Sequence, residues 1–331
     1  MVAPLVVPAG EPASVAAPEP LLLVLVGPTA SGKTALSLDL AARFAGEIIS
    51  CDSVAVYRQM EIGTAKPSRA ERAQVPHHLI DVVFPNETYT AGDYSREARA
   101  ALAEITRRGH LPIVTGGTGL YLRVLIEGLF SGPQRSEEVR DRLRRSEQRC
   151  GPGWLHRILK RLDEKAAERI HANDQAKLIR AIEVTLAARQ PISEGWKTGR
   201  DRLTGYRIMR IGLDPNRAAL YDRINARAAR MFEQGLVEET EQLIADYGED
   251  LRPLTSLGYR QATQILRGEI LFADAVASAQ QGHRNYAKRQ MTWFRREPDV
   301  VWLAGFGDDP QIRGQAIEAV EAHLLGEPTR L

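Results

Sequence analysis

Apolar residues fall into short unbroken runs separated by longer amphipathic stretches. The first run, LLLVLV (Leu21 to Val26), is too short for a core helix and stops at Gly27-Pro28, which predicts a buried strand. Helix formers follow in ALSLDLAARFAG, ending at Gly46, and EIISCDS reads as a second short strand. From Gly92 to Arg108 the pattern is helical, with Gly109 closing it. LPIVTGGTG predicts a third strand ending in a glycine turn, and YLRVLIEGL predicts the helix after it. Strand–helix alternation of this kind predicts a parallel sheet covered on both faces, with ligands at the carboxyl ends of its strands. Three stretches begin at such ends: GPTASGKT, CDS and TGGTGLY.

The pattern changes between Ser131 and Gly205. Charges become dense in RSEEVRDRLRRSEQR and LHRILKRLDEKAAERI, and no buried strand is evident. A mostly helical insertion is expected over residues 131–204, opened by Ser131-Gly132-Pro133. YRIMRIGLD then restores a strand-like run, and VVWLAG (Val300 to Gly305) reads as a last strand. Residues 21–130 and 205–331 are expected to form one core. Residues 1–20, rich in Pro and Ala without Lys or Arg, read as a disordered tail rather than a targeting signal.

A chain of 331 residues fits two domains, or one with an insertion, at ~100–200 residues per domain. The net charge of +2 gives no global pull toward nucleic acid, so any basic surface is local. Cys51 and Cys150 are far apart and fit no ligand spacing, which suits a reduced, cytoplasmic chain. No apolar run reaches ~18 residues, the length that would suggest a membrane span. No helix face demands a partner, so a monomer is expected.

The stretch Gly27-Pro28-Thr29-Ala30-Ser31-Gly32-Lys33-Thr34 has the glycine spacing of a phosphate cradle. Its backbone N–H groups turn inward, the following helix adds its positive end, Lys33 supplies an ammonium and the Thr34 hydroxyl suits Mg²⁺. The fold class this implies is α/β: a P-loop NTPase-like parallel sheet core covered by helices, with the mostly helical insertion domain. Phosphoryl-transfer enzymes with this cradle generally place a metal-binding Asp at the end of a buried strand. Here the third strand ends in Thr115-Gly116-Gly117-Thr118, and the acid in the right place is Asp52. Asp52 suits a base or a metal partner through water; the alternative is a cap on its own turn with Ser53. Farther on, Arg284, Lys288, Arg289, Arg295 and Arg296 interleave with Tyr286, Trp293 and Phe294, with no acid among them. Cations with aromatics suit single-stranded RNA, whereas the competing reading is an amphipathic helix with Trp293 and Phe294 in the core. His77-His78 has no partner spacing for a metal and reads as part of a structured loop.

These motifs occur together with DSVAVYRQMEIGTAKPS, VPHHLID, HANDQAKLIRAIEV, LYDRINAR, SLGYRQ and AKRQMTWFR. In that order they resemble the tRNA dimethylallyltransferase (tRNA isopentenyltransferase) family over roughly Leu21 to Leu303. The resemblance implies a cradle for dimethylallyl diphosphate. It also implies transfer of the dimethylallyl group to N6 of the adenine 3′ to the anticodon, in tRNAs that read codons starting with U. By the same resemblance Mg²⁺ is the cofactor, Asp52 is the general base, Arg223 grips the diphosphate and Thr118 orients the target base. Arg227, one turn past Arg223, reads as a plain surface charge, with a place in the site as the alternative. The implied tRNA contacts are Asp52, Ser53, Val54 and Ala55; Thr118; Arg140; Ala176, Lys177, Leu178, Ile179 and Arg180; Ser256, Leu257, Gly258, Tyr259 and Arg260; and Lys288, Arg289, Gln290, Met291, Thr292, Trp293, Phe294 and Arg295. Ala176 stands where the family usually has a polar residue. A small-molecule kinase, an adenylate isopentenyltransferase and an RNA-binding switch are the rival readings.

Overall fold

A computed structural model describes residues 19–130, 132–133, 135–196 and 199–326. The expected tail thus lies almost wholly outside the described residues. Six strands form a single sheet in the order β3-β2-β4-β1-β5-β6, and every pairing is parallel. They are β1 (Leu21–Val26), β2 (Gly46–Ser50), β3 (His77–His78), β4 (Leu111–Thr115), β5 (Arg207–Leu213) and β6 (Val300–Leu303). Every residue of β1 is buried because it lies at the centre of the sheet with helices on both faces. Its alternate side chains feed two cores. Leu22, Val24 and Val26 join the cluster under α3 (Ala91–Arg107) and α4 (Gly119–Ile126), whereas Leu21, Leu23 and Leu25 join that under α1 (Lys33–Arg43) and α14 (Pro310–Leu324).

β3 corrects one expectation. His77 and His78 form an edge strand, in register with Ile48 and Ile49 of β2, rather than a loop. A side-chain bond holds it as well as pairing. The buried carboxylate of Glu47 on β2 meets His78 Nε2, His110 Nδ1 and Arg108 Nη2, each at 2.7 Å.

Between β4 and β5 the insertion is helical as expected: α5 (Glu137–Cys150), α6 (Trp154–Leu162), α7 (Glu164–Arg169), α8 (Gln175–Ala188) and the short α9 (Ile192–Gly195). They enclose a hydrophobic cluster of their own, built on Leu143, Leu155, Leu159, Leu178 and Ile182. The remaining elements are α2 (Arg69–Gln74), α10 (Arg217–Glu233), α11 (Leu236–Tyr247), a 3-10 turn at Arg252–Thr255, α12 (Tyr259–Leu266) and α13 (Phe272–Phe294). Helix α13 packs along α10 and runs past the carboxyl ends of the strands. Among the described residues no helix is long and apolar enough to cross a membrane.

Candidate active site

The cradle opens directly from β1. Its last glycine, Gly32, adopts φ 87° and abuts the segment after β6, where an added Cβ would lie 2.7 Å from Gly307 N, so both conformation and space require glycine. No side chain caps the start of α1, which leaves its first amides for a ligand. Lys33 Nζ donates to the carbonyls of Gly27 and Pro28 at 3.0 and 2.7 Å. Burial and the nearby Arg227 pull its ammonium down to about 7, against the opposing pull of Asp52. The Ser31 hydroxyl is buried without a partner among the described residues.

Asp52 follows β2 and faces the cradle. One of its oxygens, Oδ1, accepts from the amides of Val54 and Ala55 at 2.8 and 3.3 Å. The capping alternative is therefore realised, but with a single oxygen; Oδ2 makes no hydrogen bond to any described residue. Thr118 braces this turn from the side: its Oγ1 accepts from Ser53 N at 3.0 Å and lies 3.3 Å from Ser53 Oγ. In this state its hydroxyl is spent on Ser53.

Cradle and acid share a cavity of about 820 Å³, whose walls include Lys33, Thr34, Asp52, Gly117, Arg223, Arg227, Tyr286 and Gln290. Arg223 is exposed on α10 and lines the cavity. Arg227 corrects its leading expectation. It is half-buried rather than a plain surface charge, and its Nη2 donates to Thr29 Oγ1 inside the cradle. Helix α13 supplies the remaining wall. Gln290 is buried and holds two loops together, with Oε1 accepting from Thr29 N at 2.8 Å and Nε2 donating to Gly117 O at 2.9 Å. Tyr286 donates to the same carbonyl at 3.2 Å. His283 is buried in the wall and stays neutral, because burial and Arg227 push it down to about 4.

The contact stretches divide by helix face. In α13 Lys288, Arg289 and Thr292 are exposed, as is Arg295 just after it, and Met291 is half-buried, but Phe294 is only 1% exposed and belongs to the main core. For Phe294 the amphipathic reading is correct. Trp293 packs its ring under the Arg123 guanidinium, 4.1 Å away, so Tyr286 is the aromatic of this stretch that lines the cavity. In α8, Ala176 and Lys177 are exposed, whereas the side chains of Leu178 and Ile179 are buried in the insertion's own core. Arg180 and Arg140 both bond the buried Glu183, at 2.8 and 3.2 Å. After the 3-10 turn, Ser256, Leu257 and Arg260 line the cavity, but Gly258 is buried and Tyr259 is sealed beneath, its hydroxyl on Glu239 at 2.5 Å. His283 and Asp308, which also line the cavity, escaped sequence reasoning as site residues, and Arg227 entered it only as the alternative reading. For His283 one signal existed: it stands two helical turns before Gln290 on one face of α13.

A family model described as IPP transferase matches residues 55–297. The tRNA dimethylallyltransferase of Koribacter versatilis (strain Ellin345) is 66% identical over 303 residues, covering 92% of this chain and 99% of that protein. The tRNA dimethylallyltransferase of Solibacter usitatus (strain Ellin6076) is 52% identical over 307 residues, covering 92% and 99%. Among solved structures, the full-length tRNA isopentenylpyrophosphate transferase of Bacillus halodurans superposes with a TM-score of 0.67 at 37% identity, over 92% of this chain and 96% of that one. A eukaryotic dimethylallyltransferase seen in crystallographic snapshots acting on tRNA gives a TM-score of 0.81 at 25% identity, over 94% and 81%. The resemblance read from the motifs is thus borne out at the level of the whole chain: this protein belongs to the IPP transferase family.

Proposed function

We propose that this protein transfers a dimethylallyl group from dimethylallyl diphosphate to N6 of the adenine 3′ to the anticodon, in tRNAs that read codons starting with U. The carrying observation is that one cavity holds a phosphate cradle on one wall and, facing it, a carboxylate with one oxygen unengaged among the described residues.

In the reaction the allylic C–O bond breaks, a C–N bond forms to N6, the N6 proton leaves and diphosphate departs. Charge develops on the departing oxygens, and preorganised donors placed there lower the barrier. The cradle amides from Ala30 to Lys33 fill that role. Lys33 exchanges its bonds to Gly27 and Pro28 for phosphate oxygens, which restores its full charge. Arg223 and Arg227 add guanidinium donors from α10. The adenine amine is a poor nucleophile because its lone pair is delocalised into the ring; Asp52 Oδ2 takes its proton as the bond forms. Thr118, through Ser53, holds the turn that aims Asp52.

The site's donors also fit Mg²⁺. The Thr34 hydroxyl and Asp52 Oδ2 are hard oxygens without partners among the described residues, and no group of three metal-ligating side chains occurs there. Such a sparse set suits an ion held chiefly by substrate phosphates, with Thr34 directly and Asp52 through water. When bound, Mg²⁺ neutralises diphosphate charge.

For the tRNA, the adenine must leave its stack at a cost of a few kcal/mol, least in a single-stranded loop. We assign exposed Lys177, Lys288, Arg289, Arg295 and Arg260 to the phosphates and Tyr286 to the inserted base. The insertion, residues 131–204, contacts the anticodon arm. The test is to incubate the protein with Mg²⁺, labelled dimethylallyl diphosphate and tRNA, AMP or neither. Label in tRNA alone is expected. Label in AMP would instead identify an adenylate isopentenyltransferase, and ATP turnover without prenyl transfer a kinase.

A further inference from the structure

Arg223 stands on an exposed side of α10, where a long side chain ordinarily samples many rotamers. Here it is fixed from two directions. Its guanidinium lies over the Phe306 ring, 3.7 Å from the centroid, and Nη1 donates to both carboxylate oxygens of Asp308, at 2.7 and 2.9 Å. A guanidinium carries five N–H donors on three nitrogens, and Asp308 engages only one of those nitrogens. Nη2 and Nε make no hydrogen bond to any described residue. Phe306 and Asp308 come from the segment between β6 and α14, and this segment is itself tied to the cradle. Gly307 N donates to Ser31 O at 2.8 Å, and a Cβ on Gly32 would sit 2.8 Å from Asp308 Oδ1. Burial raises the Asp308 carboxyl, but the hydrogen bond and charge of Arg223, a backbone amide and the charge of Arg313 together outweigh it and hold the group below its ordinary range.

We propose that Asp308 and Phe306 are positioning residues that hold Arg223 by one corner and one face, beside the cradle, so that its remaining donors are presented to the diphosphate. The inference rests on the reading that Arg223 grips that diphosphate. Asp308 is an edge buttress and not a competitor for the site, since it leaves the other two nitrogens unoccupied. An anionic side chain so near a diphosphate is tolerable because a charged N–H stands between the two.

The test is a double-mutant cycle on the intact enzyme, read as KM for dimethylallyl diphosphate and, separately, for tRNA. Asp308→Ala is expected to raise the diphosphate KM about three- to fivefold, the effect of a partly exposed charge pair, and to leave the tRNA KM unchanged. Asp308→Asn retains a carbonyl acceptor for Nη1 and is expected to restore most of that loss. In an Arg223→Ala background, Asp308→Ala is expected to add nothing further. Equal losses with and without Arg223 would overturn the buttress, because they would mark Asp308 as a support of the cradle alone. An unchanged KM in Asp308→Ala would overturn it too. An unchanged KM in Arg223→Ala would instead defeat the reading of Arg223 itself. Thermal midpoints of each variant establish that the chain has folded.

Discussion

Gly117 and Gln290 form the joint on which the two walls of the site meet, and replacing either should reveal the other. The φ of Gly117 is not positive, so alanine is admissible to the backbone there. The obstacle is one side chain. An added Cβ would lie 2.1 Å from Gln290 Nε2, and every other neighbour is at 3.4 Å or more. The amide is not free to swing away, because it is held at both ends, on Gly117 O at 2.9 Å and Thr29 N at 2.8 Å. Displacing it breaks two hydrogen bonds worth about 0.5–1.5 kcal/mol each, so Gly117→Ala should cost about 1–3 kcal/mol. Gln290→Ala deletes the same two bonds and should cost at least as much. The double variant has no clash left to relieve, and its loss should match that of Gln290→Ala alone. The expected non-additivity is therefore about 1–3 kcal/mol, which urea midpoints of the four proteins resolve. Because Thr29 belongs to the cradle, KM for dimethylallyl diphosphate should follow the same pattern. If the two losses simply add, the Gln290 amide does not set the cost at Gly117, and the bridge between the loops carries no coupling.

Other outcomes follow from the same geometry. Asp52→Ala should cut single-turnover transfer by at least about a hundredfold while tRNA affinity stays within a few-fold, the range of a lost general base; near-normal transfer would remove Asp52 from that role. Lys177→Ala should weaken tRNA binding and reduce the slope of log affinity against log salt by about 0.7–0.9, without changing the thermal midpoint. Leu178→Asp, one residue on, should unfold the insertion by burying a charge in its core, visible as lost protease resistance. Burial raises the Glu47 carboxyl, but bonds from Arg108, His78 and His110 outweigh that and hold it at about 2, below its ordinary 4.5. Its stabilisation should therefore be complete above about pH 4.5 and vanish as the pH falls toward 2, and Glu47→Gln should flatten that acid limb in a thermal titration.

Much of the fold was legible because its signals are local. Five of the six strands carry an apolar stretch, and in β1 burial on both faces of the parallel sheet makes that stretch continuous. β3 has no such run. It exists because β2 offers it an edge and Glu47 holds His78, and both conditions are tertiary. The cradle was legible for the same reason as the strands, since its glycines answer to backbone geometry within eight residues. The sense of a charged or apolar residue on a helix was not. KRQMTWFR and AKLIR read as uniform contact stretches, yet a helix turns each successive side chain by about 100°. Phe294, Leu178 and Ile179 accordingly point into cores while their neighbours face solvent. Arg227 differs from a surface arginine through its bond to Thr29 of the cradle, a contact between residues far apart in the sequence.

The turn after β4 explains why a cradle of this kind serves prenyl transfer. An ATP-hydrolysing site needs an acid at the end of such a strand. Here Gly116 has the Cys51 carbonyl 2.2 Å from where its Cβ would be, and Gly117 has Gln290 at 2.1 Å. A carboxylate at Gly116 would collide with backbone, and one at Gly117 would have to displace the bridging amide, so the packing works against an acid at either position. Asp52, from the end of the neighbouring strand β2, lines the cavity instead, and its Oδ1 is tied down by two amides. One bound oxygen fixes the direction of the other. A single, aimed acceptor is the requirement for taking a proton from an amine brought in from outside, and two metal-binding carboxylates flanking a triphosphate would be a different construction.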